Sequence, residues 1–298
     1  MKYFYYPGCS LEGTASEYDA STRAVMRTLG VDLIELDDWT CCGASAGDAV
    51  SYLLAMVLPA RNLALAERTG IEADFLVPCS SCYLNLQKVE DHVKGNGKLL
   101  QDINLVLAEE KLAYKGGIRI RHLLDVVAND IGQERLRDLT RRRLSGLRVA
   151  PYYGCQALRP YATFDDPEQP KSMEPIIEAL GAEVHRWSMG GRCCGAGLMT
   201  TKKDVAMESV GSLLEAAKGA DCIVTICPMC QMNLDSYQTK ASRLAGKDLT
   251  ISILYLPQLI GLALGLSEEE LKLKSNFAFT IPLQEKLRTG AHELPMAS

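Results

Sequence analysis

Five cysteines in the first hundred residues recur in the same order in the second half of this 298-residue chain. The first set is Cys9, Cys41, Cys42, Cys79 and Cys82; the second is Cys155, Cys193, Cys194, Cys227 and Cys230. Each set reads Cys, a gap, Cys-Cys-Gly, a gap, Cys-x-x-Cys. From Cys9, Cys41, Cys79 and Cys82 to their counterparts the offsets are 146, 152, 148 and 148 residues. So small a drift marks an internal duplication. Neighbouring residues repeat as well: Gly8 with Gly154, Gly43-Ala44 with Gly195-Ala196, Asn85-Leu86 with Asn233-Leu234, and Leu29-Gly30 with Leu180-Gly181. Cys222 has no partner in this scheme and reads as a buried, inert thiol in an apolar run.

The duplication is not there to staple a small fold. A hydrophobic fraction of 47% in 298 residues supplies a core without covalent help. The N-terminus, Met1 to Cys9, carries no apolar signal segment, so a cytoplasmic setting is expected. Disulfides rarely persist there, which leaves metal binding or redox chemistry as the reason for eleven cysteines. A net charge of −5 argues against a dedicated nucleic-acid binder. The most apolar stretch, Ile251 to Leu266, is broken by Pro257, Gln258 and two glycines. It is too short for a span, and membrane association is not expected.

Alternating patterns suggest an α/β protein of two pseudo-symmetric repeats. Each would be a small, mostly parallel sheet flanked by helices, with cysteines on loops at strand ends. In the first repeat the strand candidates are Tyr3 to Tyr6, Val31 to Leu36 and Asp74 to Val77. Thr14-x-x-Glu17 signals a capping box for a helix ending at Gly30, and a second helix over Ala49 to Arg68 should kink or split at Pro59. In the second repeat the strand candidates are Leu147 to Tyr153, Glu183 to Trp187 and Cys222 to Ile226, with helices over Met173 to Leu180 and Asp204 to Lys218. The resulting division is residues 1–93, first repeat; 94–146, a mainly helical, charged connection; 147–266, second repeat; and 267–298, a tail that wraps the domain or frays. The connection carries Arg135, Arg137, Arg141, Arg142 and Arg143, read as a solvated face or a dock for an acidic partner.

Three chemistries compete for the cysteines. A structural zinc takes four ligands, often from two Cys-x-x-Cys hairpins. Adjacent cysteines such as Cys41-Cys42 suit one small ion poorly, because consecutive side chains diverge. A polynuclear iron–sulfur cluster spreads its binding points, so neighbours can reach different irons. A metal-free thiol relay is the third reading. The successive Cys-x-x-Cys steps of a bacterial ferredoxin are absent, so an electron donor would be a separate partner.

The paired pattern resembles the cysteine-rich CCG domain, and two tandem copies without a ferredoxin module look like the B-type subunit of heterodisulfide reductase. The resemblance runs from Tyr3 to about Gly265. It implies a catalytic subunit that reduces a mixed disulfide of the coenzyme M–coenzyme B type to two thiols. It implies two [4Fe-4S] clusters of non-cubane form, one on each five-cysteine set, facing one another across the substrate. It also implies a C-type subunit with [4Fe-4S] clusters as electron donor, itself fed by a flavin-containing A-type subunit. Two alternatives remain: an electron-transfer subunit of a succinate or fumarate dehydrogenase-type complex, and a B-like reductase with another thiol substrate.

Other site candidates are fewer. His122 and His185 are possible proton donors, each weighed against a packed histidine. They form no symmetric pair: His185 aligns near Leu33 and Ile34, and His122 loosely with Gln258. Arg192, beside the second Cys-Cys pair, is a candidate for binding anionic substrate groups, weighed against a surface arginine. Gly8, Gly43, Gly154 and Gly195 would shape the loops around a cofactor.

Overall fold

The computed structural model describes residues 1–44, 46–289 and 291–293. Two four-stranded, all-parallel sheets carry the chain. The first comprises β1 (Lys2–Tyr5), β2 (Asp32–Glu35), β3 (Asp74–Val77) and β4 (Ile120–His122), in the order β2-β1-β3-β4. A short antiparallel pair is formed by β5 (Arg142–Leu144) and the terminal strand β10 (Ala291–Glu293). The second sheet holds β6 (Arg148–Tyr152), β7 (Glu183–Val184), β8 (Cys222–Thr225) and β9 (Ser252–Tyr255), ordered β7-β6-β8-β9. The two orders are identical, as a duplication requires. β3 and β8 are buried throughout or nearly so, and their continuous apolar character is that of strands covered on both faces.

Several element boundaries differ from expectation. The helix after Cys9 runs Ser16–Thr28 with Ala15 at its N-cap and no side-chain cap bond, so Thr14 and Glu17 form no capping box. Glu17 is instead buried. The next helical stretch breaks at Ser51, not at Pro59, giving Gly47–Val50 and Tyr52–Arg68. Ser51 is extended and its Oγ accepts from the Leu54 N–H at 3.4 Å, while Pro59 lies inside the longer helix. The stretch 94–146 contributes β4 to the first sheet and two helices, Gly97–Leu107 and Gly132–Leu139. Its arginines form no common helix face. Arg135 donates to the Leu29 carbonyl at 2.6 Å, and Arg142 and Arg143 lie on β5.

The repeats interlock. The helix Ser16–Thr28 packs on Leu256–Ala263 of the second repeat, and Gly132–Leu139 packs on Glu174–Ala179. One apolar core runs through both repeats. All eight residues of Leu256–Ala263 are buried, so the most apolar stretch of the chain is core. Among the described residues after Ser267, the stretch around Asn276 docks on the second repeat: Asp235 accepts the Phe277 and Ala278 N–H groups at 2.8 Å each, and Asn276 pairs with buried Gln258. Among the described residues no helix is long and apolar enough to cross a membrane.

Candidate functional site

In each sheet the chain winds outward from the central pair in both directions, and ligands in such sheets gather where the winding reverses, beyond the carboxyl ends of the strands. All ten repeated cysteines lie there. Cys9 sits in a short helix, Gly8–Glu12, directly after β1; Cys41 and Cys42 lie on the loop after β2. Cys79 caps, and Cys82 lies within, the helix Ser80–Val93 after β3. The second set repeats this after β6, β7 and β8, with Cys227 capping the helix Pro228–Ser236 that holds Cys230.

The sulfurs are crowded. Cys41 lies 3.6 Å from Cys9, Cys42 lies 3.3 Å from Cys82, and Cys194 lies 3.5 Å from Cys230, each between Sγ atoms. Backbone shape permits this crowding. Gly8 and Gly154 have φ of +70° and +69°, and a Cβ there would stand 2.9 Å from Cys82 Sγ and 3.1 Å from Cys230 Sγ. Gly43 and Gly195 also have positive φ, and their N–H groups point at Cys41 Sγ (3.5 Å) and Cys193 Sγ (3.3 Å). The four glycines therefore permit the backbone to pass close to these sulfurs.

Each set has a buried side and an open side. Cys42, Cys79 and Cys82 are buried, as are Cys194, Cys227 and Cys230; Cys9, Cys41 and Cys193 are exposed and Cys155 is half-buried. Cys222 is buried and apart from both sets, and burial pushes its thiol up.

Sulfurs so close cannot all be bare thiolates. Hydrogen bonds from Cys41 and then Cys82 bring Cys42 down to about 4, while Cys82 is pushed well up. A hydrogen bond from Cys155 brings Cys193 to about 6, helped by the nearby Arg159 charge, while Cys155 rises. Five sulfurs become five thiolates together only around multivalent cations. Among the described residues no three metal-binding side chains converge on a single ion. A polynuclear iron–sulfur group, bound at separate points, fits five sulfurs spread over the segments that follow three strands.

Several residues that hold the loops had a legible signal. Tyr6 and Tyr152, each three residues before the first cysteine of its set, donate to the carbonyls of Thr40 (2.7 Å) and Arg192 (2.8 Å), just ahead of the Cys-Cys pairs. Asn85 and Asn233 donate to the carbonyls of Cys42 (3.1 Å) and Cys194 (2.7 Å).

The remaining candidates separate. His122 is fully buried; the strand register pairs it with Val77 as Tyr255 is paired with Thr225, so its counterpart is Tyr255 rather than Gln258. Burial holds its imidazole at about 4, hence neutral, and its ring stacks on Phe164. These are the surroundings of a packed histidine. His185 is half-buried beyond β7, at the place of Ile34, and lines a cavity of about 590 Å³ with Trp187 and Gly190. Arg192 is exposed beside Cys193. Arg159, which no repeat signal marks because Gly13 holds its place in the first set, donates to the Pro167 and Gly191 carbonyls near Cys193.

The model of the cysteine-rich domain, CCG, matches residues 3–87 and 149–235. Over 279 residues the chain is 38% identical to the 8-methylmenaquinol:fumarate reductase membrane anchor subunit of Wolinella succinogenes, covering 92% of this chain and 96% of that one. It is 31% identical to a protein of Archaeoglobus profundus that is like the heterodisulfide reductase B-type subunit, over 91% and 93% of the two chains. It is 29% identical to the B-type subunit of the ferredoxin/F(420)H(2)-dependent CoB-CoM heterodisulfide reductase of Methanosarcina acetivorans, over 95% of each. A solved structure of a hypothetical protein from Helicobacter pylori shares the fold, with a TM-score of 0.74 at 16% identity, over 94% of this chain and 52% of that one. With two complete CCG units and relatives matched along nearly their whole length, the chain belongs to the family of heterodisulfide reductase B-type subunits.

Proposed function

We propose that this chain is the disulfide-reducing B-type subunit of an oxidoreductase complex, with an iron–sulfur cluster of four irons on each cysteine set. The observation that carries the reading is the open side of each set. Cys9 and Cys41 in one repeat and Cys193 in the other lie at the surface, where an external sulfur can approach. The clusters, when bound, supply one-electron storage next to that sulfur. The reaction is RS–SR′ plus two electrons and two protons to RSH and R′SH: one S–S bond breaks and two S–H bonds form. Electrons come from a C-type iron–sulfur subunit fed by a flavin-bearing A-type subunit. The chain's own part is to hold both sites and to orient the substrate. Arg192 and Arg159 put positive charge beside the second set, which suits a disulfide with an anionic end, such as one of the coenzyme M–coenzyme B type. The open rims admit water, so the two protons are drawn from solvent.

The test is disulfide reduction by the anaerobically purified chain with a reduced viologen as electron donor. Cys9→Ser and Cys155→Ser should each abolish turnover. Full activity after either change contradicts a mechanism that uses both sites.

A second reading follows from the 38% identity to the fumarate reductase anchor subunit. In it the chain passes electrons between a flavin subunit and a quinone. All eight residues of Leu256–Ala263 are buried, so this apolar helix presents no face to a membrane. Reduction of a soluble menaquinone analogue without disulfide turnover would favour this reading over the first.

A further inference from the structure

The residues on either side of Cys82 are each held by side chains of the second repeat. Ser81 Oγ donates to Gln156 Oε1 and lies 3.5 Å from Met229 Sδ. Tyr83 Oη pairs with Thr163 Oγ1, and its ring meets Phe164 edge to face, with centroids 6.3 Å apart. Phe164 also lies 9° from parallel to the His122 ring at 6.1 Å, and His122 stands edge-on to Tyr83 at 5.3 Å. Ser81, Tyr83 and His122 are all buried, so these contacts close over the start of the helix Ser80–Val93.

Gln156, Thr163 and Phe164 belong to a segment that the duplication does not repeat. The helices Ser16–Thr28 and Glu174–Ala179 both run up to a Leu-Gly pair, but the second has six residues against thirteen. Residues 156–173 ahead of it form neither helix nor strand. The segment is tied to itself instead. Asp165 accepts the Lys171 and Ser172 N–H groups at 3.0 and 2.8 Å, Asp166 accepts those of Glu168 and Gln169 at 2.8 Å, and Arg159 donates to the Pro167 carbonyl. Aspartates that bind nearby backbone in this way fix a loop's shape, and here they fix where Thr163 and Phe164 are presented. The second set is held differently. Gln231, at the place of Tyr83, bonds Asp235 at 2.9 Å and Tyr255 at 3.3 Å, both in its own repeat.

Cys79 caps the helix Ser80–Val93 and Cys82 lies in its first turn, so the setting of that helix start aims both sulfurs. Groups that orient metal ligands typically contribute about 10–100-fold to metal affinity. We propose that Gln156, Thr163 and Phe164 are positioning residues for the first site: the second repeat aims Cys79 and Cys82, and the first site fills with iron only while this strap is in place. This rests on the cluster-bearing reading above.

The test is iron content and EPR of the full, anaerobically purified chain at limiting iron, with signals assigned to each site from Cys9→Ser and Cys155→Ser. Phe164→Ala should weaken iron binding at the first site about 10–100-fold and leave the second site loaded, although the changed residue lies in the second repeat. Thr163→Val, nearly the same size, should act in the same direction without opening a cavity. Iron retained at the first site, or lost equally from both, overturns the positioning and leaves the proposed function intact. A second readout needs no iron. In the chain stripped of metal under reducing conditions, alkylation resolved by mass spectrometry should reach Cys79 and Cys82 faster in both variants than in wild type, with Cys227 and Cys230 unchanged. Equal rates at Cys79 and Cys82 overturn the positioning. A chain that binds no iron at all overturns the proposed function, and the alkylation rates then decide the role of the strap alone.

Discussion

Gly8 packs against Cys82 so closely that a Cβ would stand 2.9 Å from the sulfur. Its φ of +70° also lies in the left-handed region that glycine tolerates and alanine resists. Gly154 repeats the arrangement against Cys230, at 3.1 Å and +69°. Gly8→Ala should therefore carry a backbone penalty of about 1–2 kcal/mol and displace Cys82 from its set. The expected result is loss of iron from the first repeat with the second still loaded, read as half the iron per chain. Gly154→Ala should produce the converse. Normal iron content in both variants would show that these close approaches do not shape the sites.

Arg121 is buried on β4 among three carboxylates. It contacts Asp125, reaches Asp130 at 2.9 and 3.0 Å and Asp74 at 3.3 Å, and Tyr3 donates to Asp130 at 2.5 Å. Removing one member of a buried ion network leaves the others uncompensated, at roughly 3–5 kcal/mol. Arg121→Met should lower stability by about that amount. Chemical denaturation of the loaded protein measures it, and a loss below about 1 kcal/mol would contradict the network's structural role.

Arg121 and its neighbour His122 explain part of what the sequence concealed. β4 contains Arg121 and His122, and a polar pair inside a three-residue strand breaks the apolar run by which strands are recognised. The ion network and the aromatic neighbours make both residues interior. β9 was hidden differently, because Ser252–Tyr255 runs straight into the helix Leu256–Ala263 and the two read as one apolar stretch. By contrast β1, β3, β6 and β8 were legible, since Pro7-Gly8, Pro78, Gly154 and the cysteines punctuate their ends. The cysteine sets were legible because duplication writes the spacing twice. The contacts of Tyr18 with the Pro78 and Ile226 carbonyls were not legible, because they depend on how the repeats dock, and no short-range pattern encodes that.

His122 makes stability pH-dependent. The folded imidazole is held near 4 by burial, whereas an unfolded histidine titrates near 6.5. Below 6.5 the unfolded chain binds a proton that the fold refuses. The contribution is thus full above pH 6.5 and lost as pH falls toward 4, by up to about 3 kcal/mol. Comparing wild type with His122→Gln by denaturation at pH 7 and pH 4.5 isolates this contribution. The stability loss on acidification should be smaller in the variant, and equal losses would contradict the buried neutral histidine.

Cys222 supplies a control. It is buried on β8, away from both sets. Cys222→Ala should lower stability by about 1 kcal/mol while leaving iron content unchanged. Loss of iron in this variant would make it an eleventh functional cysteine.

On the proposed function each five-cysteine set holds its own four-iron cluster. Iron and acid-labile sulfide per chain, measured on protein purified without oxygen, test it most directly. Two loaded sites give about eight of each. About four of each in a fully folded chain, or zinc in place of iron, would contradict it.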